Sequence, residues 1–385
     1  MHYYDVVVIG GGLTGNHAAY LLANARLKVL ILEEHSEVGR PWFCTGIVGR
    51  QGFDRLNFST EFIQRELHSA SFFSPSGKRL QVTRQNTQAY VLDRPRFDYH
   101  LAETALKAGA ELFCSTKCSG IEIHADHVGI KATQGRSSLD LKAKVCLLAT
   151  GVNYAFHDRL GLGRPSGFLD SAQVEVEGKG FEEVELYFGR EISPASFAWA
   201  VPVSSDRVRI GVTARANAAQ YLKRLLATSR IRERIDENEP QITRRVIPLG
   251  PIKKSYTKRL MVIGDAAGQV KPTTGGGIYY GLLCSGIAAE VVQAAFASGN
   301  FGENQFRTYE KQWRSKIGLE LSVGLSARKL LSQCSDGQID ALIELGQEDR
   351  VLGLIKRYAD FDWHKRLILI FAKTQFLMKR MGSLY

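Results

Sequence analysis

The chain has 385 residues, 44% apolar and 23% charged, with a formal net charge of +11. That length suggests two or three domains, and that composition fits a folded globular protein and excludes a disulfide scaffold, since the cysteines are few and unpatterned. The positive balance favours anionic partners, but lysines and arginines are dispersed rather than blocked, which argues against nucleic acid.

Six scattered cysteines point to a reducing compartment. An apolar run begins at Val6, so no leader peptide is expected, and no membrane span of ~20 apolar residues is expected either. The expectation is a cytoplasmic protein.

Val6–Ile9 is a short apolar run suited to a buried parallel strand. Gly10, Gly12 and Gly15 then form a GxGxxG run with Thr14 inside it. Such glycines permit a tight turn, the close approach of a pyrophosphate and close helix–strand packing. A helix over His17–Ala25 would present its N-terminus to the phosphates. A second strand, Lys28–Leu32, ends at Glu33, 23 residues after Gly10, the place for an acid that binds ribose hydroxyls. Arg26 stands where a helix would usually end with glycine.

The loop GRPWFCTGIVG (39–49) puts Trp42, Phe43, Cys44 and Thr45 between Pro41 and glycines. Residues 90–97, YVLDRPRF, lead into a helix over Asp98–Ala108, with Arg94 at its approach. Cys114 and Cys118, followed by His124 and His127, have zinc-like spacing, but the alternating strand pattern with a turn at Ala125-Asp126 argues for a hairpin and no metal. VCLLATG (145–151) is a further buried strand. Residues 71–92 and 161–254 alternate apolar and polar, as in VEVEG and VRIGVTA, which predicts a sheet. In RLMVIGDAAGQVKPTTGGGIYYG (259–281), an apolar strand is followed by Gly264-Asp265, three glycines (Gly275, Gly276, Gly277) and a small-residue helix entered through Ile278.

This organisation resembles the glutathione-reductase-type FAD fold in its aromatic-hydroxylase branch. Within it, four features resemble the geranylgeranyl reductase family: P-x-x-C-x-G (41–46), R-x-x-F-D (94–98), GDAAG-x-V-x-P-T-T-G-G-G-I-Y-Y (264–280) and SFAWAVP (196–202). The resemblance covers most of the chain. It departs at the family's Y-x-W-x-F-P motif, which here keeps Trp199 and Pro202 but has Phe197 for Tyr and Val201 for Phe.

The resemblance implies an α/β fold: a Rossmann-like FAD-binding domain (1–70, 93–160 and 255–298), an inserted mixed β-sheet substrate domain (71–92 and 161–254) and a C-terminal helical region (299–385). It implies that Gly10, Gly12, Thr14, Gly15, Glu33, Cys44, Thr45, Arg94, Cys118, Asp265, Gly275, Gly276, Gly277 and Ile278 contact FAD, Asp265 at the ribityl chain and Cys118 near the adenine. Phe197, Trp199 and Pro202 would shape the substrate pocket. The implied activity saturates C=C bonds of an isoprenoid chain in a lipid or quinone-like molecule. Hydride leaves reduced flavin N5, and an acid, Cys44, Tyr279 or Tyr280, protonates the other carbon. No second GxGxxG follows a strand, so electrons come from transiently docked NAD(P)H or another reductant. The alternatives are a flavin monooxygenase or halogenase and a non-catalytic flavin-binding redox protein. The basic, apolar stretch 364–381 suits contact with an anionic membrane from the inner face.

Overall fold

The computed structural model describes residues 2–237 and 239–373. Its eight-stranded first sheet runs, in spatial order, Tyr256–Thr257, Leu260–Val262, Ser137–Leu148, His2–Ile9, Val29–Leu32, Glu111–Phe113, with the hairpin Thr116–Ile123/Val128–Gln134 joined to the long strand. The strands flanking His2–Ile9 are parallel to it. Alternation explains its burial on both faces. Val6 and Val8 pack on one side with the helices Leu13–Asn24, Arg94–Lys107 and Ile278–Ser298. Val7 and Ile9 pack on the other with the hairpin residues Ile121, Val128 and Ile130.

The sequence predicts no membrane span. Ile278–Ser298 is 21 residues long and apolar enough to cross one by length and composition. Small residues make that apolarity usable inside the protein: Cys284, Ala288 and Val292 are buried, and the helix packs along Leu13–Asn24 and Glu303–Trp313. Between the first two of these helices the buried His17 Nδ1 lies 2.6 Å from Ser285 Oγ. Burial lowers the His17 pKa from 6.5 to about 4, so the ring is neutral in the fold.

The unfolded chain takes that proton below 6.5 and the folded one only near 4. This share of stability is complete above pH 6.5 and is lost as pH falls toward 4, at a cost of about 3 kcal/mol. Urea unfolding at about pH 7 and about pH 5 measures it. The expected difference shrinks in His17→Gln, and an unchanged difference would refute the assignment.

The second sheet has seven strands in the order Thr243–Leu249, Gly167–Glu177, Arg207–Ala214, Ala198–Pro202, Val184–Tyr187, Ser69–Phe73, Arg79–Thr83. It is mixed, because Val184–Tyr187 runs parallel to Ser69–Phe73 while the other pairs are antiparallel. The amphipathic helix Ala218–Ala227 covers its outer face through Leu222 and Leu225. Ala89–Leu92, expected in this sheet, instead forms a small sheet with Ile47–Gly49 and Ile63–Leu67. Its four residues are all buried, as a central strand requires.

The helix Leu13–Asn24 ends where Arg26 adopts φ 63°, the left-handed conformation that glycine usually takes. After Ile278–Ser298 the chain is helical: Glu303–Trp313, a π turn at Arg314–Gly318, Leu319–Leu331, Asp336–Gln347, Asp349–Tyr358 and Lys365–Lys373. Of the basic stretch 364–381, residues 374–381 lie outside the described residues.

Candidate active site

A single cavity of about 1520 Å³ runs between the C-terminal ends of the parallel strands, the inner face of the second sheet and the trailing helices. Small-molecule sites usually enclose about 300–1,000 Å³, so this space suits two ligands side by side.

One end is built by the first strand–turn–helix. Gly10, Gly11, Gly12, Leu13 and Thr14 line it, and the helix beginning at Leu13 turns its free N–H groups toward it. Gly15 lies beneath the turn rather than in the cavity; a Cβ there would overlap the Gly10 carbonyl oxygen, so only glycine lets helix and strand approach. Glu33 is 8% exposed, and its Oε2 accepts a hydrogen bond from Gly11 N at 2.7 Å. Its Oε1 accepts from His35 N at 2.9 Å and lies 2.6 Å from His35 Nδ1. His35 was missed, though its place two residues beyond Glu33 is visible in the sequence. Thr116, Lys117 and Cys118 close this end. Burial pushes the Cys118 thiol up to about 12, so it acts as a small neutral side chain.

The middle is built by the second glycine segment and the 39–49 loop. Gly275, Gly276, Gly277 and Ile278 line the cavity at the start of the long core helix, which has no side-chain cap. The Asp265 carboxylate also faces the cavity and pairs with Arg245 of the second sheet, while Tyr154 Oη donates to the Asp265 carbonyl at 2.8 Å. Arg94 lines the wall and is held by Asp98 through Nη2–Oδ2 at 2.9 Å. Burial works against the Arg94 charge, and Asp98, with the Cys44 sulfur nearby, more than restores it.

Cys44 and Thr45 line the same space. Thr45 Oγ1 donates to Gln173 Oε1 at 2.6 Å, and Gly46 N donates to Cys44 Sγ at 3.4 Å. The loop is pinned by Arg209, which is 2% exposed. Its Nη1 donates to Thr45 O at 2.7 Å and Leu92 O at 3.2 Å, its Nε pairs with Glu175, and its guanidinium lies over Trp42. Arg209 and Arg245 went unseen in the sequence because their partners are far away along the chain. The available signal was an arginine at an inward position of an alternating strand.

The far end is apolar. Phe197, Trp199 and Val201 face the cavity, with Leu331, Leu342 and Ile343 of the trailing helices opposite. Pro202, expected here, does not line it: side chains alternate along Ala198–Pro202, so the even positions point to the other face. Trp199 lies flat on Gly211, where any Cβ would overlap its ring. The buried Trp199 Nε1 has no hydrogen-bond partner among the described residues.

Tyr279 and Tyr280, expected as candidate acids, do not line the cavity either. Successive helical side chains rotate by about 100°, so the turn that puts Ile278 in the cavity carries both tyrosines into the core behind it. Tyr279 packs on Gly52 and Trp363, and Tyr280 Oη donates to Asp362 O at 2.8 Å. Neither can protonate a ligand in the cavity. The zinc-like quartet is not assembled: His124 N donates to His127 O at the hairpin turn, and about 20 Å of strand separates that turn from Cys118.

Comparison with known proteins identifies relatives of the whole chain. A family model described as lycopene cyclase protein matches residues 5–334. A digeranylgeranylglycerophospholipid reductase of Methanocaldococcus jannaschii is 34% identical over 89% of this chain and 90% of its own length. A second protein of that name, from Methanothermobacter thermautotrophicus, is 32% identical over 88% and 91%. Among solved structures, a geranylgeranyl bacteriochlorophyll reductase-like protein of Thermoplasma acidophilum superposes with a TM-score of 0.87 at 24% identity, covering 100% of both chains. A flavin-dependent brominase shares the fold, with a TM-score of 0.72 at 16% identity, over 98% of this chain and 100% of the other. The extent and identity of these matches place the chain in the geranylgeranyl reductase family of flavin-dependent oxidoreductases.

Proposed function

We propose that the protein is an FAD-dependent reductase that saturates C=C bonds in the isoprenoid chain of a lipid or quinone-like substrate. The observation that carries this reading is the continuity of one cavity, polar and glycine-lined at one end and walled by Phe197, Trp199, Val201 and Leu342 at the other. FAD bound there supplies a hydride from its reduced ring. Gly10–Thr14 would hold its diphosphate, Glu33 a ribose diol, Asp265 the ribityl chain, and the helix start at Gly277–Ile278 the electron-rich edge of the ring. The open helix N–H groups favour negative charge at that edge.

The proton is assigned to Cys44 Sγ, a reading supported by its position in the cavity wall, in the loop that Arg209 fixes. The apolar walls exclude water and bury the prenyl chain, worth about 0.8 kcal/mol per methylene. The electron donor is NAD(P)H or another small reductant docking transiently. Entry is from an anionic membrane surface. Leu331 lines the cavity yet is 52% exposed, beside Leu330 at 65%, with the exposed Lys329 on the same helix.

The test supplies flavin-loaded protein with a geranylgeranyl phospholipid in anionic vesicles, without oxygen, with NADPH or dithionite. Mass spectrometry should show one H₂ gained per bond, and the protein should sediment with the vesicles less well as Leu330→Glu. Turnover that requires oxygen and yields a hydroxylated or halogenated lipid would replace this reading with the monooxygenase or halogenase one.

A further inference from the structure

The cavity contains a cation that the site described above leaves unused. Arg328, in the helix Leu319–Leu331, lines the apolar end and is 9% exposed. Its Nη1 donates to Pro272 O at 3.1 Å and its Nη2 to Ser196 Oγ at 2.9 Å, both neutral acceptors. Among the described residues no carboxylate pairs with it. Arg94, Arg245 and Lys271, also in the cavity wall, are matched by Asp98, Asp265 and Asp362.

An isolated buried charge is costly, and natural proteins keep one where an anion meets it. Burial lowers the Arg328 pKa to about 10, which still leaves the guanidinium charged at neutral pH. Its planar fork suits phosphate oxygens better than a lone ammonium would. Phe197, Leu331 and Ile343 line the same cavity, so the ligand that satisfies both kinds of surface is an amphiphile with an anionic group joined to an apolar chain.

We propose that Arg328, assisted by Ser196, forms a phosphate subsite that fixes the headgroup end of a phosphorylated prenyl lipid and so sets which part of the chain lies in the reactive middle of the cavity. This rests on the prenyl reductase reading and adds the residue that recognises the phosphate. The same phosphate chemistry could come from a nicotinamide donor, and the experiment separates the two.

Flavin-loaded protein is titrated with geranylgeranyl monophosphate and with geranylgeraniol, following tryptophan fluorescence, with no nicotinamide present. The wild type should prefer the phosphate. In Arg328→Gln that preference should fall about tenfold to a hundredfold, the worth of a charge-assisted hydrogen bond, and Arg328→Lys should restore part of it. A merely structural role would weaken both ligands alike and overturn the proposal. So would a wild type without preference, or an Arg328→Gln effect seen only in NADPH binding. Because binding is read without turnover, a wild type that shows the Arg328-dependent preference but reduces no lipid keeps the subsite and sinks the reductase reading.

Discussion

Asp362→Ala is expected to destabilise the protein by about 3–5 kcal/mol, the usual cost of leaving one partner of a buried ion pair alone. Lys271 and Asp362 have side chains 5% and 3% exposed, with Nζ and Oδ1 2.8 Å apart. Lys271 Nζ also donates to Phe361 O at 2.9 Å. Asp362 joins the trailing helices to the long core helix and to the strand Ile47–Gly49 with the turn of helix after it, since Tyr280 donates to its carbonyl and its carboxylate packs on Gly49 and Gly52. Removing the carboxylate strands the Lys271 charge against Phe361. Lys271→Met in the same chain should recover much of the loss, because both charges then go together. Denaturant midpoints of the single and double variants decide it. Additive losses would mean that the two residues act independently.

Gly15→Ala is expected to empty the dinucleotide end of the cavity. The new methyl would overlap the Gly10 carbonyl oxygen and crowd Ala149 Cβ at 3.2 Å, so the first helix must move off the first strand. Overpacking of this kind costs about 1–3 kcal/mol, and the moved helix no longer aims its N–H groups at a diphosphate. Flavin absorbance per protein after purification should drop at least about tenfold. Gly12→Ala is the control for folding. A Cβ there meets nothing within 4 Å, so this variant should fold normally and lose flavin only through the methyl entering the cavity. Full flavin content in Gly15→Ala would show that the close approach is dispensable.

Much of the site was legible because it is local. The strand Val6–Ile9, the glycine turn, the helix and Glu33 are joined by short connections, and each is dictated by backbone geometry at fixed spacing. The same holds for Asp265, the three glycines and Ile278 at a helix start. Which residue of a motif faces the cavity was less legible. Pro202 and Tyr279 were placed by membership in a motif, and the two-residue period of a strand and the rotation of a helix turned both away. Ala89–Leu92 was assigned by alternation to the large sheet, yet pairing depends on which edges the fold leaves open.

By itself the sequence determined the fold class, the dinucleotide-binding end, the loop bearing Cys44 and the family, all carried by short-range patterns and contiguous motifs. Tertiary structure alone decided that Arg209 pins that loop, that Arg245 faces Asp265, that Lys271 is matched by Asp362 and that Arg328 is matched by no carboxylate among the described residues. The physical reason is that a charge's worth depends on its burial and its partner. Those partners lie 20 to 164 residues away in the chain and meet only when the sheets and trailing helices close the cavity.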